Sequence, residues 1–282
     1  MRIDRDLLGW GVFFAMGGTG ALVDAIGKLM SESGVETRMS TTVKEIVVEG
    51  GRATGVMLEN GEFIAADVLV SNADAMHLYS SMVPKTAQGL SAKLKRKSAR
   101  LSMGLYVLYF GTTKQYPDVA HHTIWMGRRY KELLKDIFKR KILANDFSLY
   151  VHRPTATDPS FAPAGHDSFY VLCPVPNLQG KLRWNIEGDL LRDRIVDALD
   201  RSMLPGLKGC ITSDFYMTPE DFESRYLSVA GAGFSVAPHF TQSAWFRFHN
   251  KAEGIEGLYL TGAGTHPGAG LPGVLCSAKV ID

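Results

Sequence analysis

Towards its C-terminal end the chain reads Gly257-Leu-Tyr-Leu-Thr-Gly-Ala-Gly-Thr-His-Pro-Gly-Ala-Gly-Leu-Pro-Gly-Val-Leu-Cys-Ser-Ala-Lys279. The apolar residues from Leu258 to Thr261 predict a short strand, and an apolar-patterned segment that starts near Gly273 predicts a buried helix. Glycine and small side chains fill the turn between them, so a ligand can approach backbone N–H groups without meeting Cβ atoms. Because peptide dipoles align at a helix N-terminus, that turn favours an anionic or electron-rich group.

The spacing Gly268-x-Gly270-x-x-Gly273 has the form of a dinucleotide-binding fingerprint, but its context is wrong. In that fingerprint the first glycine follows the strand directly, and an acidic residue lies about 20 positions further on. Here the strand ends near Gly262 and the sequence stops at Asp282. We therefore reject the fingerprint, and from composition alone an ordinary glycine-rich loop is the alternative to a ligand site.

The same stretch closely resembles the C-terminal flavin-binding motif of bacterial phytoene desaturases, the FAD-dependent carotenoid desaturases of the amine-oxidase-like flavoprotein superfamily. The resemblance covers nearly the whole chain, and its motifs are specific when taken together. The other matching segments are Gly17-Gly-Thr-Gly-Ala, Ser71-Asn-Ala-Asp, His121-His-Thr-Ile and Asp146-Phe-Ser-Leu-Tyr-Val-His-Arg-Pro-Thr-Ala-Thr-Asp-Pro. Members of that family open with a strand, a Gly-x-Gly-x-x-Gly turn and a helix that hold the ADP half of FAD. Nothing near residue 1 matches that opening, so we expect the C-terminal part of a longer enzyme.

The resemblance implies a mixed α/β (α+β) fold. Its parts would be a partial FAD-binding Rossmann-like domain with a β-meander, and an antiparallel-sheet substrate domain with helices. We assign residues 1–95 and 226–282 to the FAD-binding domain, and residues 96–225 to a substrate-binding and membrane-associating domain between them. The first boundary falls in a basic run from Lys93 to Arg100, where the composition shifts.

The resemblance also implies which residues contact FAD. The glycine-rich turn would lie along the pyrophosphate and ribityl chain, and the N–H groups at the helix start would face the electron-rich edge of the isoalloxazine. In that family a valine in the first strand of the meander holds the adenine through its backbone, although here the same residue also suits a strand core. The expected cofactor-binding residues are Val43, Gly262, Ala263, Gly264, Thr265, Gly273, Val274 and Leu275.

Strand patterns predict two sheets. Residues 35–48, 53–58 and 62–70 predict a meander of three antiparallel strands, with a hairpin at Asn60-Gly61. The aromatic-rich region that follows is typical of an antiparallel sheet with one face on a large apolar space. Its predicted strands are residues 103–110, 122–126, 147–152, 168–175 and 211–216. The bulky residues Trp245, Phe246 and Phe248 are candidates to line the same space, with a core position as the alternative.

A basic amphipathic helix is predicted over residues 128–142. Residues 128–141 hold seven Lys or Arg and two acidic residues, and one helical face is apolar. Such a helix lies in the surface plane of an anionic bilayer, and a water-insoluble hydrocarbon substrate would have to enter from lipid. The alternative is a surface helix docked on its own domain. No nucleic-acid motif accompanies the basic residues, so we do not expect a nucleic acid as partner.

The sequence holds no zinc-ligand spacing and no Gly-x-Ser-x-Gly nucleophile elbow. Its eight histidines are scattered, and the adjacent pair His121 and His122 should point to opposite faces of a strand. We therefore expect no metal site. The lack of an obvious nucleophile fits cofactor chemistry, in which the flavin carries the difficult step. No catalytic acid or base can be named from the sequence.

Composition limits where the protein works. The net charge is +2, 45% of the residues are hydrophobic, and no apolar run approaches the ~18 residues needed to span a bilayer. The N-terminus lacks a secretory signal, and the three cysteines are widely spaced, as expected for reduced thiols. We expect a cytoplasmic protein that lies peripherally on the inner face of the cell membrane.

The function implied by the resemblance is carotenoid biosynthesis. The expected reaction is desaturation of phytoene, a C40 hydrocarbon, toward neurosporene or lycopene by hydride transfer to FAD. Two other readings stay open at this point. One is a non-catalytic truncated fragment of such an enzyme, and the other is a related flavoprotein such as an amine oxidase, a retinol saturase or a carotenoid isomerase.

Overall fold

The computed structural model describes residues 13–281, so residues 1–12 of the predicted first domain lie outside it. The described residues build a three-stranded sheet, a two-stranded sheet and a five-stranded sheet. The helices are α1 (Gly18–Glu32), α2 (Ala75–His77), α3 (Leu90–Ser98), α4 (Tyr130–Lys135), α5 (Trp184–Asp200), α6 (Pro219–Tyr226) and α7 (Leu271–Lys279). The strands are β1 (Val43–Glu49), β2 (Arg52–Leu58), β3 (Phe63–Ala65), β4 (Leu69–Ser71), β5 (Gly104–Thr112), β6 (His122–Trp125), β7 (Leu149–His152), β8 (Asp167–Val175), β9 (Ile211–Met217) and β10 (Leu258–Leu260).

The meander β1-β2-β3 is antiparallel throughout, as the sequence predicts. Its first strand begins at Val43 and not at residue 35 as predicted, because a turn at Met39 and Ser40, where the φ of Ser40 is 54°, precedes it. Its last predicted strand, residues 62–70, is wrong as a single element. The chain leaves the meander after Ala65 and enters the two-stranded sheet at Leu69. Asp67 lies between the two pieces, and aspartate is a poor strand former.

The two-stranded sheet joins segments from opposite ends of the described chain. β4 pairs in parallel with β10, with Leu69 opposite Leu258 and Ser71 opposite Leu260. After β4, the Asp74 carboxylate accepts a hydrogen bond of 3.0 Å from the His77 N–H and caps α2. Because β10 pairs with β4, the glycine-rich turn after β10 lies beside the start of α2, which follows β4.

The five-stranded sheet is antiparallel, in the order β6-β7-β8-β5-β9, and its strands match the predicted ones to within two residues. Helix α5 packs on it through Leu191, Ile195 and Leu199, which are fully buried. Strand β5, which pairs with β8 on one side and β9 on the other, is buried over most of its length. The predicted mixed α/β fold with antiparallel sheets is confirmed.

The buried residues form two large hydrophobic cores. One contains buried residues between 106 and 210, on the five-stranded sheet and α5. The other combines buried residues between 46 and 92 with buried residues between 236 and 260. The sequence-based boundaries at residues 95/96 and 225/226 stay a prediction.

The predicted basic helix is shorter and less regular than expected. Helix α4 continues as a π-helical turn, Asp136–Arg140, and the wider turn rotates later side chains out of register with the earlier ones. Leu133 and Ile137 are buried against Ala144 and Met103. The rest of the predicted apolar face stays exposed, namely Tyr130, Leu134, Phe138 and Ile142. None of the helices between residues 13 and 281 has the length and apolarity that a membrane crossing needs.

Candidate functional site

The glycine-rich turn follows β10 directly. The Thr261 N–H donates to the Ser71 carbonyl at 2.9 Å, which extends the parallel pairing by one residue. The chain then turns at Gly262, whose φ of 106° lies in a region that L side chains rarely adopt. A Cβ at Gly262 would also lie 2.6 Å from Oδ1 of Asn72. Both the backbone angle and the close approach therefore require glycine here.

A buried asparagine ties the two ends of this turn together. Asn250 is 7% exposed, and its Nδ2 donates to the carbonyl oxygens of Leu260 at 3.2 Å and His266 at 2.8 Å. The same amide lies 3.4 Å from the carbonyl of Ser277 in α7. One side chain thus links the strand, the turn and the helix, and holds their spacing fixed.

Ser277 supplies a second link from α7 to the turn. Its side chain is fully buried and its Oγ accepts a hydrogen bond of 2.8 Å from the Gly262 N–H. The same hydroxyl donates to the Val274 carbonyl at 2.6 Å. The hydroxyl therefore has both a donor in the turn and an acceptor in its own helix.

Arg247 is the buried cation of the site, with 5% of its surface exposed. Its guanidinium donates to the Ala263 carbonyl in the turn at 2.6 Å and, at longer distances, to the carbonyls of Phe234 and Val236. These partners are neutral, and burial lowers the pKa of the Arg247 guanidinium. A positive charge therefore lies directly against the turn. Among the described residues, no carboxylate is a hydrogen-bond partner of Arg247.

Helix α7 begins at Leu271, two residues before the position that the sequence suggests. The Val274 N–H already donates to the Gly270 carbonyl at 2.8 Å. Among the described residues, the N–H groups of Leu271 and Gly273 have no such partner. A Cβ at Gly273 would lie 2.6 Å from the Gly268 carbonyl oxygen, so the turn also folds back on the helix here. The free donors at the helix start are therefore Leu271 and Gly273.

The other residues expected from the sequence lie in different surroundings. Val43 is half-buried at the start of β1, opposite Leu58. Phe248 is buried and stacks on Tyr79, with ring centroids 5.3 Å apart, so it belongs to the core. Trp245 is 67% exposed and Phe246 is 50% exposed. These three aromatics do not share one surface.

An apolar cavity of about 460 Å³ lies on the five-stranded sheet. Aromatic side chains from neighbouring strands form its floor, where Tyr109 stacks between Tyr170 and Phe215 at centroid distances of 5.6 and 4.6 Å. Burial raises the pKa of Tyr170 to about 12, so this phenol stays neutral. The one-sided apolar sheet predicted from the strand composition is thus present, but other residues than Trp245, Phe246 and Phe248 line it.

A family model described as flavin containing amine oxidoreductase matches residues 3–279 of the chain. The chain belongs to this family. The resemblance to the amine-oxidase-like flavoproteins is thereby confirmed, and the match includes both the turn and α7.

Curated relatives narrow the similarity within this flavoprotein family. The phytoene desaturase (neurosporene-forming) of Rhodobacter capsulatus is 47% identical over 278 residues, which are 96% of this chain and 53% of that protein. The phytoene desaturase (lycopene-forming) of Pseudescherichia vulneris is 47% identical over 273 residues, 96% of this chain and 55% of that protein. The chain spans about half the length of the curated relatives it matches.

Solved structures share the fold at low sequence identity. An oxidoreductase from Methanosarcina mazei aligns with a TM-score of 0.64 and 17% identity, over 94% of this chain and 54% of that one. A wild-type putrescine oxidase bound to putrescine aligns with a TM-score of 0.58 and 8% identity, over 94% of this chain and 53% of that one. At these identities the likeness shows a common fold alone.

Three buried polar atoms around the turn test whether a flavin of this family fits here. Oγ of Ser235, Nε of Arg247 and Nδ1 of His266 have no hydrogen-bond partner among the described residues. Two of these side chains lie close to glycines of the turn. A Cβ added to Gly264 would lie 3.0 Å from Ser235 Oγ, and a Cβ added to Gly268 would lie 3.7 Å from the Arg247 side chain. Because buried polar groups are normally paired, these atoms fit a polar, anionic ligand that lies along the turn.

Sequence reasoning missed Arg247, Asn250 and Ser277, which hold the turn through side chains. Their partners Ala263, His266 and Gly262 in the turn lie 16, 16 and 15 residues away in the sequence, so no local spacing reveals them. One signal was available. Arg247 and Ser277 are polar residues within apolar stretches, and such a residue needs a specific partner when it is buried. Asn250 stands among polar residues and gives no such signal.

We predict that Asn250→Ala lowers the free energy of unfolding by about 1–3 kcal/mol, because the carbonyls of Leu260 and His266 lose their donor in a buried site. Urea denaturation followed by circular dichroism measures this loss. Asn145→Ala is the matched control, since Asn145 is exposed. Equal stability of the two variants would show that the asparagine does not hold the turn.

Proposed function

We propose that the protein containing this chain is an FAD-dependent phytoene desaturase that acts in carotenoid biosynthesis, toward neurosporene or lycopene. The observation that carries the proposal is 47% identity, spread over 96% of the chain, to relatives named as phytoene desaturases. Buried polar atoms around the glycine-rich turn that have no hydrogen-bond partner among the described residues support FAD as the flavin. The apolar cavity on the aromatic sheet suits a hydrocarbon better than a charged substrate.

In this proposal the chain holds FAD with the turn and the start of α7. Gly262, Ala263, Gly264 and Thr265 would lie along the pyrophosphate and ribityl chain. The backbone N–H groups of Leu271 and Gly273 would supply the donors first expected from Gly273, Val274 and Leu275. Arg247 would place a buried positive charge behind the phosphates, where charge-assisted hydrogen bonds are strong. Val43 would hold the adenine through its backbone.

When bound, FAD supplies a hydride acceptor for a C–C bond flanked by double bonds. The chain's own part is to bind, orient and keep water away. The stacked rings of Tyr109, Tyr170 and Phe215 present an apolar surface that excludes water from a hydrocarbon. The donors at the helix start would stabilise negative charge that develops on the flavin ring.

We also propose the domain division that the motifs suggest. Residues 1–95 and 226–282 would form the FAD-binding part, with residues 96–225 as the substrate part inserted between them. The two hydrophobic cores support this, since one draws on residues at both ends of the chain and the other on the middle.

The direct test uses purified protein, FAD and phytoene embedded in liposomes. We expect FAD to stay bound through gel filtration and phytoene to be converted into products with longer conjugation, which absorb visible light. Protein that retains FAD, leaves phytoene unchanged and releases peroxide with amines would instead favour the amine oxidase alternative. Protein that retains no FAD would contradict the proposed cofactor site.

Two glycine substitutions test the proposed FAD site more specifically. Gly273→Ala should reduce retained FAD about tenfold or more, because the new Cβ would lie 2.6 Å from the Gly268 carbonyl and displace the turn. Gly209→Ala is the control, since a Cβ there meets nothing within 4 Å. The FAD absorbance of the two variants after gel filtration measures the difference. Equal retention would exclude the α7 start as part of the flavin site.

We further propose that the protein lies peripherally on the inner face of the cell membrane through residues 128–142. Leu133 and Ile137 dock this segment on the protein, which leaves Tyr130, Leu134 and Phe138 exposed beside basic side chains. Exposed apolar and cationic side chains on one short segment are what an anionic lipid surface binds. Ion pairs of Lys135 and Arg140 with Glu132 reduce this charge but do not remove it.

The membrane proposal is tested by reversing charges that have no acidic partner in the described structure. The double variant Lys131→Glu and Lys139→Glu should weaken binding to liposomes with anionic lipid by about tenfold or more, since each basic residue contributes about 1 kcal/mol. The variant Lys44→Glu and Lys85→Glu changes the net charge equally at exposed positions outside the segment, one in β1 and the other before α3. If both variants lose the same affinity in a flotation assay, the attraction is global and the segment is not the docking site.

A further inference from the structure

Three histidines meet at one edge of the five-stranded sheet, although the sequence suggested that His121 and His122 point to opposite faces. That expectation is wrong, because β6 begins at His122 and His121 lies in the bend before it. Outside a regular strand the alternation of faces does not hold. The two imidazole centroids are 4.4 Å apart, and the ring of His152 lies 4.7 Å from that of His121.

Strand register explains why His152 joins them. His122 on β6 is directly opposite His152 on β7. The Arg153 N–H donates to the His121 carbonyl, so the flanking residues carry the hydrogen bond and the two histidines occupy a non-hydrogen-bonded position. Side chains at such a position lie on the same face and close together. Their Nδ1 atoms are 3.3 Å apart.

That separation fits two ligands of one metal ion. Two nitrogens, each about 2.0–2.1 Å from a tetrahedral ion, are about 3.3–3.4 Å from one another. One ligand atom from each of the three histidines can be chosen so that all lie within 4.8 Å of one another. The third ring therefore needs only a small rotation to reach the same ion.

The hydrogen bonding of the His121 ring also supports a role as a metal ligand. Its Nδ1 lies 2.5 Å from Oγ1 of Thr157, while its Nε2 is buried and has no hydrogen-bond partner among the described residues. A histidine that ligates a metal usually donates from its other ring nitrogen to a fixed acceptor, which orients the ring. The hydroxyl of Tyr150, 2.6 Å from Nδ1 of His122, supplies a further polar group at the cluster.

We propose that His121, His122 and His152 bind a divalent first-row transition-metal ion such as zinc. Three imidazoles without a carboxylate suit an ion of borderline softness better than Mg²⁺ or Ca²⁺, which prefer oxygen ligands. The ion ties the end of β7 to the bend before β6. Because His152 also lines the apolar cavity, the metal fixes one wall of that cavity. The site is separate from the turn proposed for FAD.

The test is zinc titration of metal-free protein that carries no polyhistidine tag, followed by isothermal calorimetry. We expect one zinc ion per chain, and we expect His122→Ala and His152→Ala each to weaken zinc binding about tenfold or more through loss of a ligand. His239→Gln is the control, because His239 is exposed and lies outside the cluster. Wild-type affinity in both cluster variants would overturn the proposal.

A spectroscopic measurement covers the case in which a variant fails to fold. Co²⁺ in a tetrahedral or five-coordinate nitrogen site gives intense visible ligand-field bands, and octahedral Co²⁺ in water gives only weak ones. We expect wild-type protein to develop the intense bands at one equivalent of Co²⁺ and to lose them when zinc is added. Wild-type protein that shows only the weak aqueous spectrum, with no stoichiometric zinc uptake, would exclude the site.

Discussion

The parallel pairing of β4 with β10 is the interaction on which the rest of this structure depends. It pairs Leu69 with Leu258, which are far apart in the sequence. The residues that form the five-stranded sheet and α5 lie between these two strands in the sequence. The turn after β10 then lies beside α2, with its path fixed by buried polar side chains. Asn250 and Ser277 satisfy carbonyl and N–H groups that a purely apolar core would leave unpaired.

A turn held in this way exposes backbone groups, and not side chains, to a ligand. Glycine is required at Gly262 by its backbone angle and at Gly273 by close contact with the Gly268 carbonyl. The N–H groups at the start of α7 and the buried Arg247 then concentrate positive potential on one side of the turn. The same packing that stabilises the fold thus builds the surface proposed for the flavin. The aromatic face of the five-stranded sheet supplies an apolar surface for a hydrocarbon.

The sequence predicted much of this fold because its signals are local. Runs rich in aromatic and apolar residues located β5, β8 and β9, and the glycine-rich composition located the turn before α7. It failed where distant contacts decide. A single strand over residues 62–70 overlooks both Asp67 and the pairing of β4 with the distant strand β10, and the divided face of residues 128–142 depends on a π-helical turn. Arg247 and the meeting of His121 with His152 depend on partners that only the tertiary fold brings close.

FAD is proposed to bind at the turn and at the start of α7. Hydrogen–deuterium exchange of the purified protein, with and without FAD, measures this at the backbone itself. We predict that FAD slows exchange in residues 262–273, and most at the Leu271 and Gly273 amides, which have no acceptor in the described structure. Bound FAD with unchanged exchange in residues 262–273 would contradict the claim and place the flavin elsewhere.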